Sequence, residues 1–317
     1  MRSTFEAAAG IQAIDTRMCG QDLVTSAYLV QADEPAIVET GPTTSLSAVL
    51  AGLAELGVGP RDLAHIVVTH IHLDHAGGAG ALAPHFPGAT VWVHERGAPH
   101  LADPTKLVQS AIRVYGEERL RGMFGAVDPV PAERLRALAD GDKVSLGNRT
   151  LEALYTPGHA GHHVCLADSA TGGVFVGDAV GVFLPDVRIL RPATPPPEFD
   201  LELAIASIER VQALRPPLIL FSHFGPAPEV EHLMALAIRR LRRWTEVVEG
   251  AMKETDEVAE VVARLREGTA SETRPVEEGP RSKAMEDRYE LLSSYEMNAL
   301  GLMRYLSKGG AGGRREG

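Results

Sequence analysis

Apolar and β-branched residues crowd two short runs near the start of the chain, 23–31 (LVTSAYLVQ) and 36–40 (AIVET), with Asp33-Glu34-Pro35 between them. That pattern predicts a hairpin. From 43 to 56 the apolar positions Leu46, Val49, Leu50, Leu53 and Leu56 recur at helical spacing, and Gly57 ends the run. The stretch 65–69 (HIVVT) predicts a short buried strand, followed by a helix over 75–85 and another strand over 90–94. Between 94 and 138 the pattern predicts mostly helices and loops. Strands return at 151–155, 164–167 and 174–177. A stiff loop, PATPPP at 192–197, precedes a helix over 201–214 and a strand over 218–221.

From 229 onward helical patterns dominate: 229–251, 255–267 and 284–307, with a polar linker 268–283 that contains Pro275, Gly279 and Pro280. The expected organisation is an α/β domain over 1–228, a helical extension over 229–308 and a disordered tail over 309–317 (GGAGGRREG). Composition agrees with a packed core, since 44% of the 317 residues are hydrophobic and 23% are charged. The net charge of −11 argues against a general affinity for nucleic acid or an acidic membrane. No run approaches the ~18 apolar residues of a membrane helix. Residues 1–10 carry no basic-then-apolar leader. Cys19 and Cys165 form neither a disulfide framework nor a metal-type pair. A cytoplasmic protein acting on a small molecule is the expectation, with a homodimer as a common assembly for that class.

The chemistry gathers just past the ends of the predicted strands. Thr69-His70-Ile71-His72-Leu73-Asp74-His75 puts three histidines and an aspartate directly after the strand 65–69. Alternate side chains at a strand end project to one side, so His70 and His72 can converge on one ion. Asp74 and His75 fall in the turn into the next helix, where they can face a second. Imidazole and carboxylate suit zinc, manganese and iron, and a binuclear site makes hydroxide near neutral pH. Three further strand ends each offer one candidate ligand: His159 in Thr156-Pro157-Gly158-His159, Asp178 after Gly177, and His223 after Ser222.

These motifs, H-x-H-x-D-H followed by TPGH, GD and SH, resemble the metallo-β-lactamase superfamily in its glyoxalase II-like branch, over roughly residues 10 to 225. The resemblance implies an α/β fold, a four-layer αβ/βα sandwich here bearing a small C-terminal helical extension. It implies a first metal on His70, His72 and His159, a second on Asp74, His75 and His223, and Asp178 bridging both. Two divalent ions, Zn2+ or else Mn2+ or Fe2+, would then hold a bridging hydroxide as nucleophile, with Asp74 orienting it or shuttling a proton. Two departures stand out. Glu39-Thr40-Gly41 replaces the common Asp-x-Gly, and Asp178-Ala179-Val180-Gly181 replaces the Gly-Cys-Gly-Arg-like run of glutathione-thioester and persulfide enzymes.

Hydrolysis of a small ester, thioester or lactone is the first expectation, with Val180, Val182, Phe183 and Leu184 offering an apolar pocket. A mononuclear iron persulfide dioxygenase using His70, His159 and Asp178 is the alternative, and a nuclease is a lesser one. His162 and His163 read as supporting residues. His65, His85, His94, His100 and His232 read as ordinary ones. Arg239, Arg240, Arg242 and Arg243 read as a solvated helix face. The helix 284–307 reads as packing surface over or beside the metal cleft.

Overall fold

The computed structural model describes residues 3–184, 186–273 and 280–310. Residues 274–279 of the expected linker and 311–317 of the expected tail lie outside them. The chain divides into two compact units: Met1–Tyr155 with His162–Gly177 and Pro217–Pro226, and Thr156–Gly161 with Asp178–Pro216 and Ala227–Gly317.

The first unit carries two sheets. Seven strands follow one another in chain order across the first: β1 (Thr4–Ala8), β2 (Ile11–Asp15), β3 (Ser26–Val30), β4 (Ala36–Val38), β5 (His65–Val67), β6 (Thr90–His94) and β7 (Leu135–Leu138). Strands β1 to β4 pair antiparallel, which includes the predicted hairpin β3–β4. Strands β4 to β7 pair parallel. Six helices lie between the strands: α1 (Leu46–Glu55), α2 (Leu73–Ala76), α3 (Ala79–Leu82), α4 (Ala98–Ala102), α5 (Thr105–Tyr115) and α6 (Glu117–Phe124). The second sheet is built on β8 (Lys143–Ser145), β9 (Thr150–Tyr155), β10 (Val164–Asp168) and β11 (Val174–Gly177). Strands β12 (Val182–Leu184) and β13 (Ile189–Arg191) form a separate hairpin in the second unit. The second sheet is completed by β14 (Ile219–Phe221), parallel to β11, and β15 (Gly225–Ala227).

Period-two alternation explains why the parallel strands read as unbroken apolar runs, because both faces are covered. Ile66 packs with Val49 and Leu53 of α1 and with Ala79 and Leu82 of α3. Its neighbour Val67 faces the other way, against Leu151, Leu166, Phe175 and Leu220 of the second sheet. The unit is thus helices on a sheet, and that sheet on another. The helix predicted over 75–85 is two single-turn helices, α2 and α3, joined through Gly77 and Gly78. Strand β7 lies in a stretch expected to hold mostly helices and loops; three of its four residues are partly or fully exposed, so its pattern carries little signal.

The second unit holds the hairpin and six helices: α7 (Leu201–Ala213), α8 (Val230–Met252), α9 (Val258–Gly268), α10 (Ala270–Thr273), α11 (Pro280–Leu292) and α12 (Tyr295–Ser307). The helix expected over 284–307 breaks at Ser293-Ser294, where the Ser294 hydroxyl accepts from Met297 N–H and caps α12. Trp244 of α8, fully buried, stacks on Tyr295 at 5.3 Å. Arg240 departs from the solvated basic face assigned to it. Its guanidinium donates to the carbonyls of Leu190 and Glu272, while Arg239, Arg242 and Arg243 are exposed.

Arg149 and Asp168 fasten the β9–β10 edge of the first unit through two hydrogen bonds of 2.8 and 2.5 Å, with both side chains buried. Burial opposes ionisation of Asp168, but the bonds from Arg149 and Thr171 prevail and hold its carboxyl below the usual range. A depressed carboxyl stabilises the fold above the unfolded value of about 3.9 and loses that contribution as pH falls through the folded one. Arg149→Met should therefore cost about 3–5 kcal/mol at neutral pH by urea unfolding. The gap from wild type should narrow below about pH 4.

Candidate metal centre

Strand β5 ends at Val67, and the chain from Thr69 turns into α2 at Leu73. That short path brings His70 and His75, both fully buried, into ring contact at 4.1 Å. His72 Nδ1 lies 3.0 Å from His70 Nε2. Strand β14 delivers Ser222 and His223 to the same place. His223 Nε2 is 3.2 Å from His75 Nε2, and Asp74 Oδ2 is 3.4 and 3.6 Å from those two nitrogens.

Hydrogen bonds on the far side of each ring decide which nitrogen carries the proton. His223 Nδ1 lies 3.1 Å from the Val24 carbonyl, which only accepts, so Nδ1 is the donor. His75 Nδ1 donates to Glu39 Oε1 at 3.2 Å. The Thr69 hydroxyl donates to Glu39 Oε1 at 2.6 Å and so accepts from His70 Nδ1 at 2.9 Å. In all three imidazoles Nε2 is left as a lone pair. Two lone pairs 3.2 Å apart with a carboxylate oxygen beside them repel each other unless a cation sits among them. A tetrahedral zinc shell with bonds of about 2.0–2.1 Å spaces its ligand atoms about 3.3–3.4 Å apart, so Asp74, His75 and His223 fit such an ion.

Glu39 is the hub of this arrangement. It is fully buried, and its carboxylate gathers Thr69 Oγ1, Thr69 N–H, His75 Nδ1 and Ser222 Oγ at 2.6, 3.4, 3.2 and 3.0 Å. Its backbone is left-handed at φ 67, a conformation that costs a non-glycine residue about 1–2 kcal/mol. The carboxylate is thus spent on orienting ligands, although it also lies close enough to His70 and His75 to be counted with them as a possible ion-binding group. His162 and His163 are close by. The His162 ring stacks on His70 at 6.1 Å, and the His163 ring lies 4.9 Å from it.

The other two candidate ligands belong to the second unit and meet there. His159 Nε2 is 3.4 Å from Asp178 Oδ2, and His159 Nδ1 donates to the Ala193 carbonyl at 3.0 Å. Again a lone pair faces a carboxylate. The loop before His159 is pinned to α7: Ser207 Oγ donates to the Pro157 carbonyl, and Asp200 N–H to that of Gly158. Gly158 has φ 131, and a Cβ there would sit 2.2 Å from Ala204 N, so only glycine lets the loop approach. His159 and Asp178 open on a narrow cleft lined by Val180, Leu190, Phe199, Ala237, Arg240 and Leu241, among others. Val182 and Leu184, expected to line a pocket, pack instead with Ile189, Met285 and Tyr289. Helix α8 lines the cleft directly, while α12 stands behind it through Tyr305 against Phe199.

The sequence profile of the metallo-beta-lactamase superfamily matches residues 20–223, and the chain belongs to that superfamily. Its α/β fold with a helical C-terminal region is the one expected from the motifs. It is 31% identical over 179 residues to the metallo-beta-lactamase fold-containing protein ST1585 of Sulfurisphaera tokodaii, covering 54% of this chain and 65% of that one. It is 35% identical over 128 residues to the acyl-coenzyme A thioesterase MBLAC2 of Gallus gallus, covering 39% and 44%. Each match spans less than two thirds of the relative's length. Hydroxyacylglutathione hydrolases and an N-acyl homoserine lactonase also match. The crystal structure of TTHA1429 from Thermus thermophilus superposes with a TM-score of 0.68 at 23% identity over 96% of both chains.

Of the ordinary histidines, His65 accepts from the Trp92 indole at 3.0 Å and His94 stacks on Tyr155 at 4.6 Å. Sequence reasoning missed the parts played by Thr69, Val24 and the Ala193 carbonyl; a backbone carbonyl leaves no mark in a sequence. Glu39→Gln keeps the shape but brings an amide donor among four donors. Zinc affinity should fall about 10–100-fold, as for other losses of a ligand's supporting partner. Chelator competition on protein with unchanged circular dichroism measures it.

Proposed function

We propose that the chain is a metal-dependent hydrolase of a small ester, thioester or lactone, working with two divalent cations, zinc foremost. The observation that carries this reading is the set of imidazole lone pairs turned toward carboxylates, a donor arrangement that suits cations and little else. The ligand set is the one the family resemblance implies: His70, His72 and His159 for one ion, Asp74, His75 and His223 for the other, and Asp178 for both. Bound there, the ions lower the pKa of water to near neutrality and polarise the scissile carbonyl.

The chain's own residues supply the rest. Thr69, Glu39 and the Val24 carbonyl hold three imidazoles in one tautomer, so no proton has to leave them before an ion binds. Asp74, whose side chain is 20% exposed, would be the residue to take a proton from the attacking water and hand it to the leaving group. The apolar lining beside His159 and Asp178 suits the acyl part of a substrate. Relatives named as an acyl-coenzyme A thioesterase, hydroxyacylglutathione hydrolases and a lactonase support the same carbonyl chemistry. Neither Cys19, which is exposed, nor Cys165, which is buried, forms a disulfide. Among the described residues no helix is long and apolar enough to cross a membrane.

Elemental analysis of protein purified without added metal should give about two equivalents of zinc or manganese per chain, and a panel of thioesters and lactones should contain a substrate. One equivalent of iron with oxygen uptake would sink the hydrolase. Asp178→Ala should remove at least one equivalent and lower turnover by more than about 100-fold, beyond the cost of losing a mere supporting contact. Full retained activity would overturn the ligand assignment.

A further inference from the structure

His159 is aimed by one peptide group, and that group is itself held from the other side. The amide joining Ala193 to Thr194 accepts His159 Nδ1–H on its carbonyl at 3.0 Å. The N–H of the same amide donates to Asn298 Oδ1 at 2.9 Å. The Thr194 hydroxyl donates to the same oxygen at 2.7 Å. On its other edge Asn298 Nδ2 donates to Ser293 Oγ at 2.8 Å, and that hydroxyl donates to the Pro192 carbonyl at 2.6 Å. The peptide groups flanking Ala193 are therefore tied, on both sides, to one asparagine. Thr194, Ser293 and Asn298 are all buried, so no solvent substitutes for these bonds. Helix α12 comes this close because residue 301 is glycine: a Cβ there would lie 1.7 Å from the Thr194 carbonyl oxygen.

We propose that Asn298 is a positioning residue for the metal centre, acting through the 193–194 amide to fix the direction and donor strength of the His159 imidazole. This rests on the reading of His159 as a metal ligand. Two effects follow from one geometry. Fixing the amide plane fixes the ring about its Nδ1–H bond. Each bond in the line Asn298, amide, imidazole also polarises the next, so the carbonyl accepts more strongly and Nε2 becomes the better donor. The neighbouring carbonyls are spoken for as well, Ile189 by the Tyr289 hydroxyl and Leu190 by Arg240. Arg191, wholly buried, is held by Glu286 and Glu290 at 2.7 and 3.1 Å between the rings of Tyr289 and Tyr295. With these neighbours already engaged, the bond that decides the plane of the 193–194 amide is the one from its own N–H to Asn298.

The test compares Asn298→Ala, Thr194→Val and His159→Ala in the full chain, by zinc competition with a chromophoric chelator and by the visible spectrum of the cobalt(II)-loaded protein. Thr194→Val loosens the same helix contact but keeps the N–H that Asn298 accepts. The expected result is that Asn298→Ala, folded by circular dichroism, weakens one zinc equivalent about 10–100-fold and changes the cobalt spectrum. Thr194→Val should stay within about threefold of wild type. Asn298→Ser carries the same expectation should the alanine variant fail to fold. The inference is overturned if a folded Asn298 variant binds both equivalents as wild type does, or if it and Thr194→Val weaken both equivalents alike. His159→Ala separates the two readings. If it weakens one equivalent while the Asn298 variants do not, only the positioning role fails. If it leaves both equivalents intact, the metal assignment fails and takes the inference with it.

Discussion

The site depends on where the imidazole protons are. Glu39, Thr69, the Val24 carbonyl and the Ala193 carbonyl each take an Nδ1–H, and the four Nε2 atoms of His70, His75, His223 and His159 are left with nothing to donate. At His75, His223 and His159 that lone pair faces a carboxylate, a costly arrangement in a buried place unless something positive lies between them. The sheets, the strained backbone at Glu39 and the glycine at 158 all serve to hold that unfavourable arrangement in place, and the family to which the chain belongs gives the reason it is kept.

The two units contribute by different means. In the first, the parallel neighbours β4 and β5 end together and bring Glu39, Thr69 and His70 side by side, while β14 of the second sheet delivers Ser222, whose hydroxyl reaches Glu39, and His223. Both faces of those strands are packed, which leaves the strand ends as the place for polar side chains. In the second unit His159 and Asp178 sit on connections rather than regular elements. There the precision comes from fastening peptide groups one by one: carbonyls by Ser207, Asp200 and Ser293, and the Thr194 N–H by Asn298.

The candidate ligands stand out in the sequence because each is a rare polar type just after an apolar run, and the H-x-H-x-D-H spacing concentrates four of them in six positions. The core strands were legible for the same reason, as β-branched runs with abrupt ends. What was lost lacked contrast. Strand β7 is mostly exposed, β12 and β13 are three residues each, and the break between α11 and α12 interrupts a continuous apolar stripe with two serines. The second helical turn after His75 failed as a single helix because two glycines fall where backbone stiffness was needed. Supporting contacts that use carbonyls, or an arginine whose burial depends on residues about 100 positions away, have no local signature at all.

The second unit is assembled from three separate stretches of chain. The hairpin β12–β13 and the segment after it leave the ribosome about 100 residues before the helices that clasp them, as the sequence separations of 95 to 104 show for Arg191 and Thr194. At synthesis rates of about 5–20 residues per second that is a wait of roughly 5–20 s. Throughout it Arg191 has neither of its carboxylates and the 193–194 amide has no asparagine. The His159 imidazole, bonded to that amide, therefore gains its full support only after α12 has emerged, while β1 to β7 can pair much earlier. The order of synthesis in this way sets the order of assembly: a chain grown only as far as α10 would carry all seven candidate ligands yet lack the asparagine that holds the 193–194 amide.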